Sequence, residues 1–537
     1  MRGERWAFLL IGLLFLASCG KREDPNEGLS IFKYNESSGI LTLDPIYAKD
    51  LPHIWACNQL FSSLVAFDED MNVVPRVAHS WEISEDGKVY TFHLRQDVMF
   101  HEDETLPEGR RVNAEDVCYS FNRVVDKTLN SPGAWIFAPV AHDDEGYAFK
   151  ALDDSTFQVT LSQPFPPFLG ILSMTYASIV PKEAVEHYGD AFRRHPVGTG
   201  PFRFQYWNEG VKLVMRKNPL YFETDAEGER LPYIDAVSIS FLIDRQVAFL
   251  EFVKGKFDFM SGIDARYKDE LLTYDGELRK KYENKIELIT GPYLNTEYIS
   301  FYVDPEDSLG VDRARALRQA VSLSIDRDKM LRYLRNGIGL AGTGGMIPAG
   351  LPGHHDGIGY GYDLKQAQRL VSENHLENYL LNLSTTAEYA DIGKFVQSQV
   401  EQVGLKCKME VMPPATLRSM KANGNLSFFR ASWVADYPDA ENYLSLFTTS
   451  NFAPAGPNYS HYSNPRYDRL YEQAMSMRDD DARERLYAEM DSLMMQDAPV
   501  VVLFYDEILR FVNQRVEGLG TNPTNLLDLR RVRLMRN

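Results

Sequence analysis

Hydrophobic period is the feature that most constrains this chain. From about residue 30 to residue 510 it switches repeatedly between two residues and 3.6, and no stretch repeats another. Val89-Tyr90-Thr91-Phe92-His93-Leu94, β-branched and aromatic, predicts a strand. The turn at Glu85-Asp86-Gly87-Lys88 makes Trp81-Glu82-Ile83 its hairpin partner. Asn113 predicts a helix cap, with Glu115 and Asp116 in the first turn and Val117, Phe121 and Val124 on one face. Further strands are expected at 157–161, 211–215, 236–242, 407–412, 427–433 and 500–504. Helices are expected at 245–254, from Asp312 onward, at 364–373 behind the cap Asp363, and at 391–403 before Gly404. Elements interleaved in this way specify the α/β class.

At 537 residues the chain is too long for one ordinary domain. With 44% hydrophobic and 25% charged residues it is neither disordered, nor collagen-like, nor a polytopic membrane protein. A net charge of −19 argues against a nucleic-acid partner, which needs a basic footprint. Cys19, Cys57, Cys118 and Cys407 form no C-x-x-C pair, so a zinc ribbon or redox motif is unsupported. There is no H-E-x-x-H, no Walker loop, no G-x-S-x-G and no EF-hand loop, which lowers the expectation of an enzyme.

The first residues read as an address. Arg2 and Arg5 precede an apolar run at 6–17, too short to span a bilayer but of signal-peptide length. It ends in Leu16-Ala17-Ser18-Cys19, which resembles the bacterial lipobox. That resemblance implies cleavage after residue 18 and a lipid on Cys19. Residues 19–29 are then a polar tether, and the body is an exported protein held to the membrane by acyl chains. At most one disulfide is available to the three remaining cysteines.

Several stretches together resemble one family. They begin with Trp81-Glu82-Ile83-Ser84-Glu85-Asp86-Gly87-Lys88-Val89-Tyr90-Thr91-Phe92-His93-Leu94-Arg95, Phe100-His101, Ala114-Glu115-Asp116-Val117 and Ser120-Phe121. They continue with Val197-Gly198-Thr199-Gly200-Pro201-Phe202, Ile325-Asp326-Arg327, Trp433-Val434-Ala435-Asp436-Tyr437-Pro438-Asp439, Asn464-Pro465-Arg466-Tyr467-Asp468 and Ala498-Pro499. In order and spacing these resemble the family 5 extracellular solute-binding proteins, the peptide/nickel-type receptors of ABC importers. The resemblance implies a two-lobed periplasmic-binding-protein-like fold (type II, large peptide-binding subclass) with an extra subdomain. Lobe one is expected from 30–57, 191–290 and 505–537, the subdomain from 58–190, and lobe two from 291–504. The lobes, joined by crossing strands, would close over a ligand.

The same resemblance implies the site. Asp436 stands where peptide-binding members pair an aspartate with the ligand's ammonium; the alternative is that it caps the turn before Pro438. Asp439 reads as a turn residue. The main chain of Ser432, Trp433 and Val434 is expected to be an open strand edge that an extended peptide joins. Trp433 either walls a side-chain pocket or belongs to the core. Arg430 either contacts a ligand carboxylate or organises the site, and Tyr437 completes the set. Ile40 stands where the oligopeptide receptors carry a glutamate, and Glu36 is out of register with it.

The expected function is capture of short peptides on the periplasmic side of the envelope and delivery to an ABC importer's permease and ATPase. The expected protein is a monomer with no cofactor and no metal. Other receptors of the family take oligosaccharide, nickel chelate or haem, and an exported hydrolase or a structural lipoprotein are readings of other classes. His354-His355 and His101-Glu102-Asp103-Glu104 are the clusters that suggest metal, but adjacent side chains seldom converge on one ion. Gly198-Thr199-Gly200 lacks the Lys-Ser/Thr of a phosphate loop and reads as a turn. Residues 342–353, with five glycines and two prolines, read as a mobile loop.

Overall fold

The computed structural model describes residues 28–535 except 70, 145, 263, 265, 266, 304, 305 and 307. The expected signal segment, Cys19 and most of the tether lie outside the described residues.

One eleven-stranded sheet runs through both lobes. In lobe one the order is Phe202–Asn208, Lys212–Lys217, Ala236–Ser240, Ile31–Asn35 and Phe259–Ser261. Ile31–Asn35 is parallel to both of its neighbours. The sheet continues through two long antiparallel strands, Val500–Asn513 and Ile286–Phe301, which cross between the lobes. In lobe two it ends with Phe428–Val434, Leu380–Thr385 and Lys406–Val411, and the eleventh strand, Leu340–Ala341, pairs off this path with Val500–Asn513. The apolar run at 500–504 is thus the start of a 14-residue strand, fully buried where it crosses lobe two.

The subdomain carries a separate antiparallel sheet in the order Ala78–Ile83, Val89–Leu94, Thr156–Thr160 and Phe149–Asp153. Its first hairpin is the one expected from the sequence. Helix Ala114–Val125 follows behind a capping box, in which Asp116 N–H donates to Asn113 Oδ1 (3.0 Å) and Asn113 N–H to Asp116 Oδ2 (2.9 Å). Its Val117, Phe121 and Val124 are buried.

Lobe one and the subdomain share one core, which joins Phe32, Tyr34 and Trp55 to Phe92, Phe121 and Phe157. Lobe two has a core on each face of its sheet. Ile299, Val321, Val400 and Phe428 lie in one, and Tyr298, Ala431, Tyr443 and Met494 in the other. The Ile325-Asp326-Arg327 motif locks the first of these. Asp326 caps helix Arg327–Arg335, while Arg327 donates to the carbonyls of Val502 (2.7 Å), Ser322 and Ile325.

Gly198 and Gly200 press onto the end of helix Leu51–Leu60. A Cβ at Gly198 would fall 2.2 Å from the Leu60 oxygen, and one at Gly200 would fall 2.4 Å from the Leu60 carbonyl carbon. His101 clamps the turn: its Nδ1 accepts from Gly198 N–H (3.3 Å) and its Nε2 donates to the Gly200 carbonyl (3.0 Å). Burial pushes this imidazole down to about 4, so it stays neutral in the clamp. Residues 342–353 are packed, against the expectation of a mobile loop. Met346 and Ile347 are fully buried, and their N–H groups donate to the Asp491 carboxylate. Cys57, Cys118 and Cys407 are buried free thiols. Among the described residues no helix is long and apolar enough to cross a membrane.

Candidate functional site

Strand Phe428–Val434 pairs along its whole length with the first crossing strand, from Phe428 opposite Phe301 to Val434 opposite Asn295. On its other side only Phe428 and Phe429 are paired, with Leu383 and Ser384. The neighbouring strand stops at Thr385 and the chain turns into the short helix Ala387–Tyr389. From Arg430 to Val434 that edge therefore has no strand partner among the described residues. This is the open edge expected around Ser432, Trp433 and Val434. Ser432 is half-buried, and Val434 is 44% exposed.

Asp436 follows the open edge by two residues. It is accessible to solvent yet surrounded by enough protein to hold its carboxyl above the usual range, with desolvation as the cause. Its carboxylate has neither a cation nor a hydrogen-bond donor among the described residues. The turn before Pro438 is held by other groups. Asn442 Oδ1 accepts from Asp436 N–H (3.2 Å) and from Trp433 Nε1–H (2.7 Å), and Asp439 accepts from Glu441 N–H (2.8 Å). Asp439 is thus the turn residue, and the side chain of Asp436 caps nothing.

Trp433 lies half-buried against the Tyr298–Tyr443 core, its indole fixed by Asn442. Arg430 is engaged by a residue that sequence reasoning missed. Its Nη2 donates to both oxygens of Glu297 (2.7 Å each) and its Nε to Oε2 (3.1 Å). The guanidinium also lies 3.4 Å from the centroid of the Tyr389 ring. The Tyr437 hydroxyl donates to Glu441, whose carboxyl burial pushes up to about 7.

Across the cleft the subdomain supplies aromatic rings. Trp135 is 39% exposed, and its ring stands 6.2 Å from that of Tyr437. Arg478 of lobe two also donates to the Glu85 carbonyl of the subdomain hairpin (3.4 Å). Neither Glu297 nor Trp135 carries a pattern of its own in the sequence.

Glu36 accepts from Ser38 N–H, and Ile40 is core. The histidine clusters are otherwise occupied. Besides the His101 clamp, Glu102 pairs with Arg203, Asp103 accepts from Tyr188, and His354 Nδ1 donates to the Ile347 carbonyl. Among the described residues no group of His, Cys, Asp or Glu could hold a metal ion.

The model of the "Bacterial extracellular solute-binding proteins, family 5 Middle" matches residues 72–454. The chain is 27% identical over 492 residues to the dipeptide-binding protein of Escherichia coli K12, covering 86% of this chain and 87% of the relative. It is 25% identical to the periplasmic oligopeptide-binding protein OppA of Salmonella typhimurium, covering 94% and 92% respectively. The structure of HbpA2 from Haemophilus parasuis superposes with a TM-score of 0.83 at 23% identity, over 94% of this chain and all of that one.

Proposed function

We propose that this chain, which belongs to the bacterial extracellular solute-binding proteins of family 5, captures short peptides between its lobes for an ABC importer. One observation carries the reading: Asp436, a carboxylate with no partner among the described residues, stands at the end of a strand edge that lacks a neighbour among them. An extended peptide satisfies both. Its main chain adds to the open edge, and its ammonium neutralises a carboxylate that is costly to leave alone. Main-chain pairing reads no sequence, so affinity and side-chain tolerance go together. The dipeptide- and oligopeptide-binding relatives support the ligand class.

The protein acts by binding and release. It serves as a monomer on the periplasmic side of the envelope, tethered by lipid on Cys19, and hands its ligand to the importer's permease and ATPase. Ser432 and Val434 offer main chain, Trp433 and Tyr437 fix the loop that aims Asp436, and Arg430 organises the cleft floor with Glu297. Native mass spectrometry of the purified full-length protein tests this. A ladder of adduct masses fitting short peptides, absent in Asp436→Ala, is the expected result. A clean mass together with no thermal shift from a pool of peptides would overturn it.

A further inference from the structure

Besides the two crossing strands, one buried side chain ties the lobes together. Helix Arg327–Arg335 of lobe two ends at Asn336, which takes the left-handed conformation at φ 53° and ψ 39°. Glycine and asparagine are the residues that enter it most readily. Asn336 is 1% exposed, and the three partners of its amide belong to lobe one. Lys268 Nζ donates to Oδ1 (2.7 Å), while Nδ2 donates to Asp269 Oδ1 (3.0 Å) and to the Thr273 carbonyl (3.3 Å). The main chains touch as well: a Cβ at Gly337 would fall 3.0 Å from the Asp275 carbonyl carbon. Ile338 then enters an apolar cluster of lobe one, with Phe252, Leu271 and Phe511.

This meeting lies at the hinge. Along one edge, strand Val500–Asn513 pairs with Leu340–Ala341 of lobe two at Tyr505 and Phe504, and with Phe259–Ser261 of lobe one at 510–512. Between these pairings the edge has no strand partner among the described residues, and segment 335–339 runs beside it. Gly339 N–H donates to Glu507 (2.6 Å) and Arg335 to Asp506 (2.5 Å). The Asn336 amide thus fixes one lobe to the other next to the residues where a rotation would bend the strand. The same structure holds Trp135 6.2 Å from Tyr437 and Arg478 3.4 Å from the Glu85 carbonyl, both across the cleft. The tie is therefore compatible with lobes that have approached each other. Hydrogen bonds lose their strength within a few tenths of an ångström, so three of them on one amide resist wide opening.

We propose that Asn336 is a positioning residue for ligand capture, its amide pinning lobe two to lobe one beside the hinge and confining the unliganded lobes to orientations near the one that binds. The proposal rests on the peptide reading above and goes beyond it, since Asn336 is none of the groups assigned to the ligand. Apparent affinity is the intrinsic affinity multiplied by the fraction of molecules in the binding orientation. Releasing the lobes lowers that fraction, so every ligand loses the same factor whatever its chemistry. A residue in contact with the ligand would discriminate among ligands instead.

The test is Asn336→Gly in the full-length protein, which removes the amide and keeps a residue at ease in the left-handed backbone. Spin labels on Leu152→Cys of the subdomain and Leu380→Cys of lobe two, both exposed positions, report the interlobe distance, while Cys57, Cys118 and Cys407 are buried. Without ligand, the distance distribution should be broader in the variant than in the parent. Isothermal titration should show a loss of about tenfold for trialanine and for trileucine alike. Lys268→Met, which keeps Asn336 and removes one partner, should broaden the distribution by less, and it serves in place of Asn336→Gly if that variant does not fold. Unchanged width with unchanged affinity overturns the proposal even where the thermal midpoint falls, because Asn336 then serves stability alone. A loss confined to one of the peptides overturns it as well. Should the parent bind neither peptide, the peptide reading fails and the width alone decides the proposal.

Discussion

The Glu297–Arg430 pair offers a test of how the cleft floor is built. Glu297 lies opposite Ser432, and Arg430 lies opposite Ile299, on one face of adjacent strands. Their side chains are 5% and 17% exposed. Burial raises the Glu297 carboxyl above its usual range in spite of the guanidinium beside it. Desolvation thus outweighs attraction, and two effects of different size follow. Glu297→Leu alone leaves Arg430 charged and without its partner. That costs about 3 kcal/mol, the low end for a buried pair, because Arg430 keeps some contact with water. The double variant Glu297→Leu/Arg430→Met replaces the pair by apolar groups and should return to within about 1 kcal/mol of the parent. Urea unfolding of the parent, both single variants and the double closes the cycle. Its peptide affinity should stay within about threefold of the parent, because the guanidinium is committed to Glu297. A double variant that costs as much as the two single changes added together would refute the stability argument. A tenfold or greater loss of affinity would give Arg430 a direct ligand contact instead.

Two further outcomes are expected. Gly198→Ala should destabilise by about 3 kcal/mol, because the new methyl meets the Leu60 main chain, which cannot rotate away; a thermal midpoint equal to the parent's would contradict the tight turn. Glu441 should make stability fall as pH rises. Its folded carboxyl titrates near 7, above the unfolded value, so between about pH 4.5 and 7 the native state holds a proton that the unfolded chain has lost. Glu441→Gln should flatten that slope, leaving the smaller share of Asp491, which titrates near 6; midpoints across the range that match the parent's would sink this assignment.

What was legible in the sequence is what local chemistry determines. The Trp81–Leu94 hairpin, the Asn113 capping box and the Asp363 cap appear where turn and cap residues place them, because each is settled within a few residues. The family motifs behave similarly, since Asp326 and Asn464 are helix caps and Gly198-Thr199-Gly200 is a packed turn. The first crossing strand was not read. Gly291 and Pro292 interrupt its apolar run, and a proline argues against an interior strand, yet here it sits beside an irregularity in the pairing. Of the site, Asp436 and the open edge were legible through resemblance. Glu297 and Trp135 were not, because each meets a residue at least 130 positions away, and no periodicity encodes such a meeting.

A distant meeting of the same kind connects the Asp436 turn to the strands that join the lobes. Those strands pair from Ile286 opposite Asn513 to Ser300 opposite Val500, but Pro292 faces Glu507 while the next pair is Thr296 with Tyr505. Residues 293–295 therefore stand against Asp506 alone, a bulge in which the ladder is lost. It is pinned from both lobes. Leu294 N–H donates to the Pro523 carbonyl (3.0 Å), and the Leu294 carbonyl accepts from Ala435 N–H (2.9 Å) and the Tyr443 hydroxyl (2.7 Å). Asp506 accepts from Arg335 (2.5 Å) and Asn295 (3.1 Å). A sheet bends at least cost where its ladder is already broken, so a rotation of one lobe against the other would concentrate here. Such a rotation would act on Leu294 and, through the hydrogen bond from Ala435 N–H, on the turn that carries Asp436. Under the proposed function, a ligand that held Asp436 against the subdomain would also fix the angle of the bulge, and capture would be coupled to lobe position without a separate relay.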